Sequence, residues 1–215
     1  RHNNVFGNVG YISRAPYFAN GVFLQQATSN ATNPDPLNEK VFSAELGYNF
    51  RSKIFSATVN AYYTKWMDKT SVRSGSFNNG PHQGERYVMN LGGVDARHMG
   101  VEINATFVPT KWLEITGMLS LGNYEWASNA KGYFYNLQGQ PIKTNGDVAE
   151  GIMAPDHATG VLNQKGIKVG GSAQTTAALG ATFRPWRGFR IGADWKVNAR
   201  NYSDYTLSLI HISEA

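Results

Sequence analysis

The chain has 215 residues, a net charge of +5 and no cysteine. That bounds it to about one domain and excludes disulfides and thiolate metal sites. Lys and Arg are scattered rather than gathered on one face, so the electrostatic footprint of a nucleic-acid binder is missing.

No apolar run is long enough to cross a membrane as a helix. The mean hydropathy of −0.38 resembles that of a soluble protein, but a β-barrel escapes that test because only every second strand residue meets lipid. Residue 1 is Arg, with neither Met nor an apolar leader after it, so the native N-terminus is expected upstream or processed away. With 13% aromatics and 23 Gly, the composition suits strands, turns and interfacial girdles better than helices.

A first strand is predicted over 3–13, followed by a polar connection, 14–39. In the next segment, 40–50, Phe42, Ala44, Leu46, Tyr48 and Phe50 share one face, and Ser43, Glu45, Gly47 and Asn49 the other. This period of two is the signature of a strand with one greasy side. The short turn Arg51-Ser52-Lys53 leads to a strand over 54–67, where Phe55, Ala57, Val59, Ala61 and Tyr63 oppose Ser56, Thr58, Asn60 and Tyr62. A second long polar connection is expected over 68–84.

Residues 85–108 read as one long strand. Met99, Val101, Ile103, Ala105 and Phe107 alternate with Gly100, Glu102, Asn104 and Thr106, and Tyr87, Met89 and Leu91 share their odd parity. The phase is therefore expected to run unbroken. Pro109-Thr110-Lys111 turns the chain into a strand over 112–125, carrying Leu113, Ile115, Leu119 and Leu121. The longest connection, 126–172, is rich in Asn, Gly, Ser and Pro. A strand over 173–184 displays Ala177, Leu179, Ala181 and Phe183. After Pro185-Trp186-Arg187-Gly188, the last strand, 189–201, sets Phe189, Ile191, Ala193, Trp195, Val197 and Ala199 against Arg190, Asp194, Lys196, Asn198 and Arg200.

Short turns alternating with long polar connections are the pattern of a membrane barrel, with the turns on the periplasmic side. Strict up-and-down alternation puts all three short turns at one end. The predicted fold is an all-β, antiparallel up-and-down transmembrane β-barrel. About seven strands cannot close such a cylinder, and open edges facing lipid are too costly to exist, so residues 1–205 are expected to be part of a larger barrel. Residues 206–215 break the pattern: Leu207 to Glu214 resembles a translated sequencing adapter, and a non-native or truncated tail is expected there. The start of a next strand is the alternative.

Several stretches resemble the barrel of TonB-dependent receptors, especially the Bacteroidetes-type branch. These are Asn8-Val9-Gly10-Tyr11-Ile12-Ser13-Arg14-Ala15-Pro16; Asn33-Pro34 with Asn38-Glu39-Lys40 and Glu45-Leu46-Gly47-Tyr48; Asn60 to Asp68; Asn90 to Glu102; and Asp194-Trp195-Lys196 through Asn201 to Tyr205. The resemblance implies a 22-stranded barrel in the cell outer membrane with an N-terminal plug in its lumen. It implies import of a scarce ligand (a siderophore, a cobalamin or a glycan) with energy delivered by the TonB complex through that plug. Outer-membrane lipid is the expected partner, with a surface lipoprotein where the ligand is a glycan. Plug, TonB box and C-terminal strand are not in this sequence.

The lumen- or plug-facing charges are expected to be Glu45, Glu102, Arg184, Arg190, Asp194, Lys196 and Arg200, either as ligand and plug contacts or as the generic polarity of a wet lumen. Trp126, Tyr133, Phe134 and Tyr135, in the longest connection, could stack on a ligand or pack on one another. Tyr63, Trp66, Tyr87, Trp112, Trp186 and Trp195 are candidates for interfacial belts. His2, His82, His98, His157 and His211 show no metal-ligand spacing, and no G-x-S-x-G elbow occurs. No metal, cofactor or catalytic residue is expected. The other readings are a passive porin, a secreted β-sandwich carbohydrate-binding module and, third, an enzymatic outer-membrane barrel.

Overall fold

The alternating segments fold as strands because a period of two lets one face stay apolar along its whole length while backbone ladders satisfy the peptide groups. In the computed structural model, which describes residues 2–19, 21–24, 31–203 and 211–213, these are β1 (His2–Arg14), β2 (Glu39–Arg51), β3 (Phe55–Ser76), β4 (Arg86–Thr110), β5 (Leu113–Trp126), β6 (Ala130–Asn136), β7 (Thr159–Leu162), β8 (Thr175–Phe183), β9 (Ile191–Ala199) and β10 (His211–Ser213). Seven of them form a wall in the order β1-β2-β3-β4-β5-β8-β9. Every neighbouring pair is antiparallel. This is an up-and-down meander, and among the described residues its two flanks do not pair with each other.

Between neighbouring strands of the wall, the connections β2–β3, β4–β5 and β8–β9 are the short ones, and all lie at one end, as the parity requires. Ser52 closes the first: its hydroxyl donates to the Phe55 carbonyl at 3.0 Å and accepts from the Phe55 N–H at 3.1 Å. The other end is where the structure departs from expectation. Residues 68–76, read as connection, extend β3 to 22 residues paired with a 25-residue β4. The stretch 126–172 holds β6, which pairs with the far half of β4 (Tyr87–Gly92), and β7, which pairs with β6. The sequence offered little sign of these two: they are short and interleaved with Gly and Asn, and their partner is far along the chain.

The unbroken phase expected for β4 is also corrected. Leu91 and Val94 belong to one buried cluster, yet odd and even positions of a regular strand face opposite ways. Gly93, with φ of 67°, lies between them. Its left-handed backbone inserts a bulge that re-phases the strand. A matching irregularity sits opposite, between Trp66 and Lys69 of β3, with Asp68 at φ 57°. The Ser128 hydroxyl stitches the bulge, donating to the Gly93 carbonyl at 2.9 Å and accepting from the Asp95 N–H at 2.8 Å.

Of the tail expected over 206–215, residues 206–210 and 214–215 lie outside the described residues. His211–Ser213 pair antiparallel with β7.

Candidate functional site

The wall has two unlike faces. Register alignment across the strands puts Asn49, Thr58, Asn104, Met118, Ala178 and Lys196 in one row, and Asn60, Glu102, Ser120, Thr176 and Asn198 in the next. This polar face is the concave one: residues of β2, β3, β4, β5, β8 and β9, among them Arg51, Thr106, Asp194 and Lys196, line a single hollow of about 630 Å³.

The convex face carries nine-residue apolar runs, Phe42–Phe50, Phe55–Tyr63, Met99–Phe107 and Leu113–Leu121. A barrel strand needs about 9–11 residues to cross the hydrocarbon core. These side chains are open to the exterior: Leu46 is 63% exposed, Leu121 46%, Leu179 57% and Trp195 60%. No described element covers them.

Glu45 and Glu102 meet on the concave face around a second hollow with Asn60, Tyr62, Thr64, Trp66, His98 and Tyr124. Tyr62 and Tyr124 join hydroxyl to hydroxyl at 2.6 Å. They do so across Gly100, where an added Cβ would lie 2.6 Å from the Tyr62 oxygen. Asp194 lies over Gly180 in the same manner, next to the Thr116 hydroxyl. Arg184 is held by Glu114, both terminal nitrogens donating to one carboxylate oxygen at 3.0 Å. Arg190 and Arg200 fall just outside β9, Arg200 with φ of 56°. Of the seven charges expected to gather in a lumen, then, Glu45 and Glu102 share one hollow, Asp194 and Lys196 share the other, and the remaining three stand apart.

The four aromatics of the long connection do not form one surface. Phe134 is 2% exposed and Tyr135 1%. Phe134 packs in a core with Met89, Leu91, Val94, Ala130, Ile142, Ala158 and Leu162, and Trp126 leans on it. On the other face of β6, Tyr133 and Tyr135 hold the His157 ring at centroid distances of 4.8 and 5.1 Å. His157 accepts from the Met153 N–H at 3.0 Å and donates to the Phe134 carbonyl at 2.8 Å. This is the neutral imidazole, and burial holds its pKa below the usual histidine value. Burial likewise pushes the Tyr135 hydroxyl up to about 12. Only Tyr133 lines an open recess, of about 320 Å³, with Asn33, Asp35, Leu37, Lys131 and Met153. Sequence reading missed His157, because a lone histidine in a polar stretch carries no pattern.

Among the belt candidates, Tyr63 lies on the convex face at the far edge of the apolar run. Trp112 and Trp186, 45% and 65% exposed, flank the short turns. Trp195 pairs with Leu179 on the convex face, in register across the wall with Ala57 and Phe50, near the short-turn end of the apolar runs. Two candidates are corrected. Trp66 lines the concave hollow with Glu45 and Glu102, its parity being even. Tyr87, re-phased by Gly93, packs between Phe77 and Phe134 at 5.2 and 5.3 Å.

Among the described residues, no three His, Asp or Glu side chains gather as a metal site. The arrangement is that of a curved wall: a wet hollow inside, a greasy surface outside, and a folded cap at one end.

No curated protein matches the chain by sequence. Among solved structures it is similar to "Copper transporter OprC", with 14% identity and a TM-score of 0.44 over 89% of this chain; it spans 30% of that transporter's chain. The family "TonB dependent receptor-like, beta-barrel" matches residues 2–210. The chain belongs to the TonB-dependent receptor β-barrel family.

Proposed function

We propose that this chain is part of the wall of an outer-membrane transporter that binds a scarce ligand (a siderophore, a cobalamin or a glycan) and imports it with TonB-derived energy. The observation that carries the reading is the pairing of a polar concave face with an exposed apolar convex face nine residues tall. In water, so large a bare apolar surface would be a liability; in hydrocarbon it is the stable arrangement. The short turns then lie in the periplasm and the cap lies outside the cell.

Glu45, Glu102, Asp194 and Lys196 would line the lumen, where they meet a plug or a hydrated ligand. Arg184, Arg190 and Arg200 would sit at its periplasmic and extracellular rims. Tyr133, open to a recess between Asp35 and Lys131, is the aromatic best placed to touch a ligand at the mouth; Phe134 and Tyr135 act behind it as packing. The share of this wall is recognition and a polar conduit, with no covalent chemistry. Where the ligand is a glycan, a surface lipoprotein is the expected partner.

The test is uptake by cells carrying the full-length receptor. Import that stops when TonB is deleted, and resumes when it is restored, supports the reading. Import that continues without TonB makes the barrel a passive porin.

A further inference from the structure

The recess beside Tyr133 lies outside the conduit. Trp66, Ala96 and Trp126 stand in register. Trp66 lines the concave hollow, and Trp126 packs on the core that holds Phe134. The core of the cap is therefore on the concave side. Side chains alternate along a strand, so Tyr133 and its register partner Asn90 turn to the outer flank, together with the pair Lys131 and Gly92. The β1–β2 connection leans on this flank, with Leu37 3.4 Å from where a Cβ on Gly92 would lie. The recess of about 320 Å³ sits between the two.

Its lining is held firmly. Asp35 stands between Pro34 and Pro36, whose rings fix the backbone on either side. The Asn33 side-chain oxygen accepts from the Asp35 N–H at 3.1 Å, and its nitrogen donates to the Gly21 carbonyl at 2.9 Å. Met153, also in the lining, adopts a φ of 61°, which costs energy in any residue with a Cβ. Its N–H is held by the buried His157 at 3.0 Å. Strain maintained in this way collects at ligand clamps. Asp35 and Lys131 line the same space, yet among the described residues neither charge has an ion-pair partner.

We propose that this recess binds one pyranose ring of a soluble, neutral glycan and captures it ahead of import. A sugar ring has an apolar C–H face, which suits the Tyr133 ring, and a rim of hydroxyls that both donate and accept. Asp35 only accepts and Lys131 only donates, so together they engage neighbouring hydroxyls of an uncharged ligand. Size points the same way. The volume is at the low end for small-molecule sites, and a corrin or an iron-loaded siderophore exceeds it. A zwitterionic dipeptide would satisfy both charges but leave the Tyr133 face without a flat partner. The site deepens the transport reading by singling out the glycan among its ligands, and rests on that reading for the recess facing the external medium.

The experiment titrates purified full-length receptor with maltose, cellobiose, mannobiose and lactose, and with glycylglycine, by calorimetry. At least one disaccharide should bind, and glycylglycine should not. Tyr133→Ala should weaken that disaccharide about tenfold and Asp35→Asn about fivefold. Gly92→Leu grows a side chain toward Leu37 and should abolish binding while Tyr133, Asp35 and Lys131 stay in place, which keeps the test open if Tyr133→Ala disturbs the cap. Lys53→Gln, in a short turn at the other end of the wall, should change nothing. In cells, Gly92→Leu should raise the disaccharide concentration for half-maximal uptake and leave maximal uptake unchanged. No binding by any of the four disaccharides overturns the site. So does an affinity indifferent to both Gly92→Leu and Asp35→Asn, or glycylglycine bound in their stead. An unaltered half-maximal concentration overturns the capture role. Calorimetry needs no TonB, so sugar bound at the recess by a receptor that imports without TonB would overturn the transport reading and leave the site standing.

Discussion

The two ends of β4 make their side chains bury in opposite ways. From Met99 to Phe107 the apolar residues point out of the curve, and Val101 and Ile103 remain 39% and 37% exposed. From Tyr87 to Ala96 the same strand faces a protein core, with Met89 at 0% and Leu91 at 2%. One continuous ladder serves two solvents. Where the surroundings are hydrocarbon, a strand needs no second layer, because lipid takes the place of a core. Where they are water, the strand must be covered, and the long connection folds back as β6, β7 and a loop cluster to cover it. Gly93 marks the change of regime, since its bulge turns Met89 and Leu91 from the outward phase to the covered side.

Substitutions in the two regions should therefore fail differently. The largest expected effect is in the cap: Phe134→Ala removes a buried ring and should cost about 3–5 kcal/mol of local stability. Hydrogen exchange over residues 130–162 would rise while that of residues 99–107 stays slow. In the lipid-facing region, Val101→Arg should cost about 2–4 kcal/mol of folding into vesicles, whereas Asn104→Arg on the concave face should be nearly neutral. An equal penalty for both would erase the distinction between the faces.

At the boundary, Gly93→Val should cost about 1–2 kcal/mol. A branched side chain resists the left-handed backbone there, although no neighbour lies within 4 Å of an added Cβ. Equilibrium unfolding of the refolded receptor reads that loss. Tyr62→Phe, which removes one hydroxyl bond across Gly100, should cost about 0.5–1.5 kcal/mol, measured the same way.

The smallest effect expected is the pH response of the cap, and it has two opposed parts. His157 is buried neutral, its pKa depressed, so its contribution is intact above the ordinary histidine value of about 6.5 and is lost as pH falls below it. His82 is raised by its hydrogen bonds to Asp147 and Glu85, each at 2.9 Å. Its tie between the β3–β4 tip and the long connection is complete below the ordinary value and is lost as pH rises through the raised one. Exchange over 143–148 should thus quicken on the alkaline side, and over 153–158 on the acid side. Neither change should be felt in the wall, since His82 and His157 both belong to the capped end, at the β3–β4 tip and in the long connection.

The wall was legible in the sequence because its signal is local. Phe42 to Phe50 and Met99 to Phe107 each declare their face with a period of two, and the three short turns fix the parity. The resemblance to the receptor family rested on the same stretches. The cap was not legible. Its strands are four and seven residues long, and Met89 and Leu91 carry the parity of lipid-facing residues until a single positive-φ glycine reverses them. Trp66 was misplaced because an aromatic near a strand end suits an interfacial belt, whereas its even number puts it on the concave side with Glu102. Of the candidate ligand contacts, Phe134 and Tyr135 could be told from Tyr133 only once β6 was known to be covered on both faces.

The alternation between positions 101 and 104 offers the most direct measurement. This chain contains no cysteine, so single cysteines at Val101, Glu102, Ile103 and Asn104 of the full-length receptor can be labelled with an environment-sensitive fluorophore in vesicles. Brominated acyl chains should quench the labels at 101 and 103 and spare those at 102 and 104, which water-soluble quenchers should reach instead. Labels at 101 and 103 that ignore the brominated lipid and sit as dry as a protein interior would mean that a second layer, not the bilayer, covers the convex face.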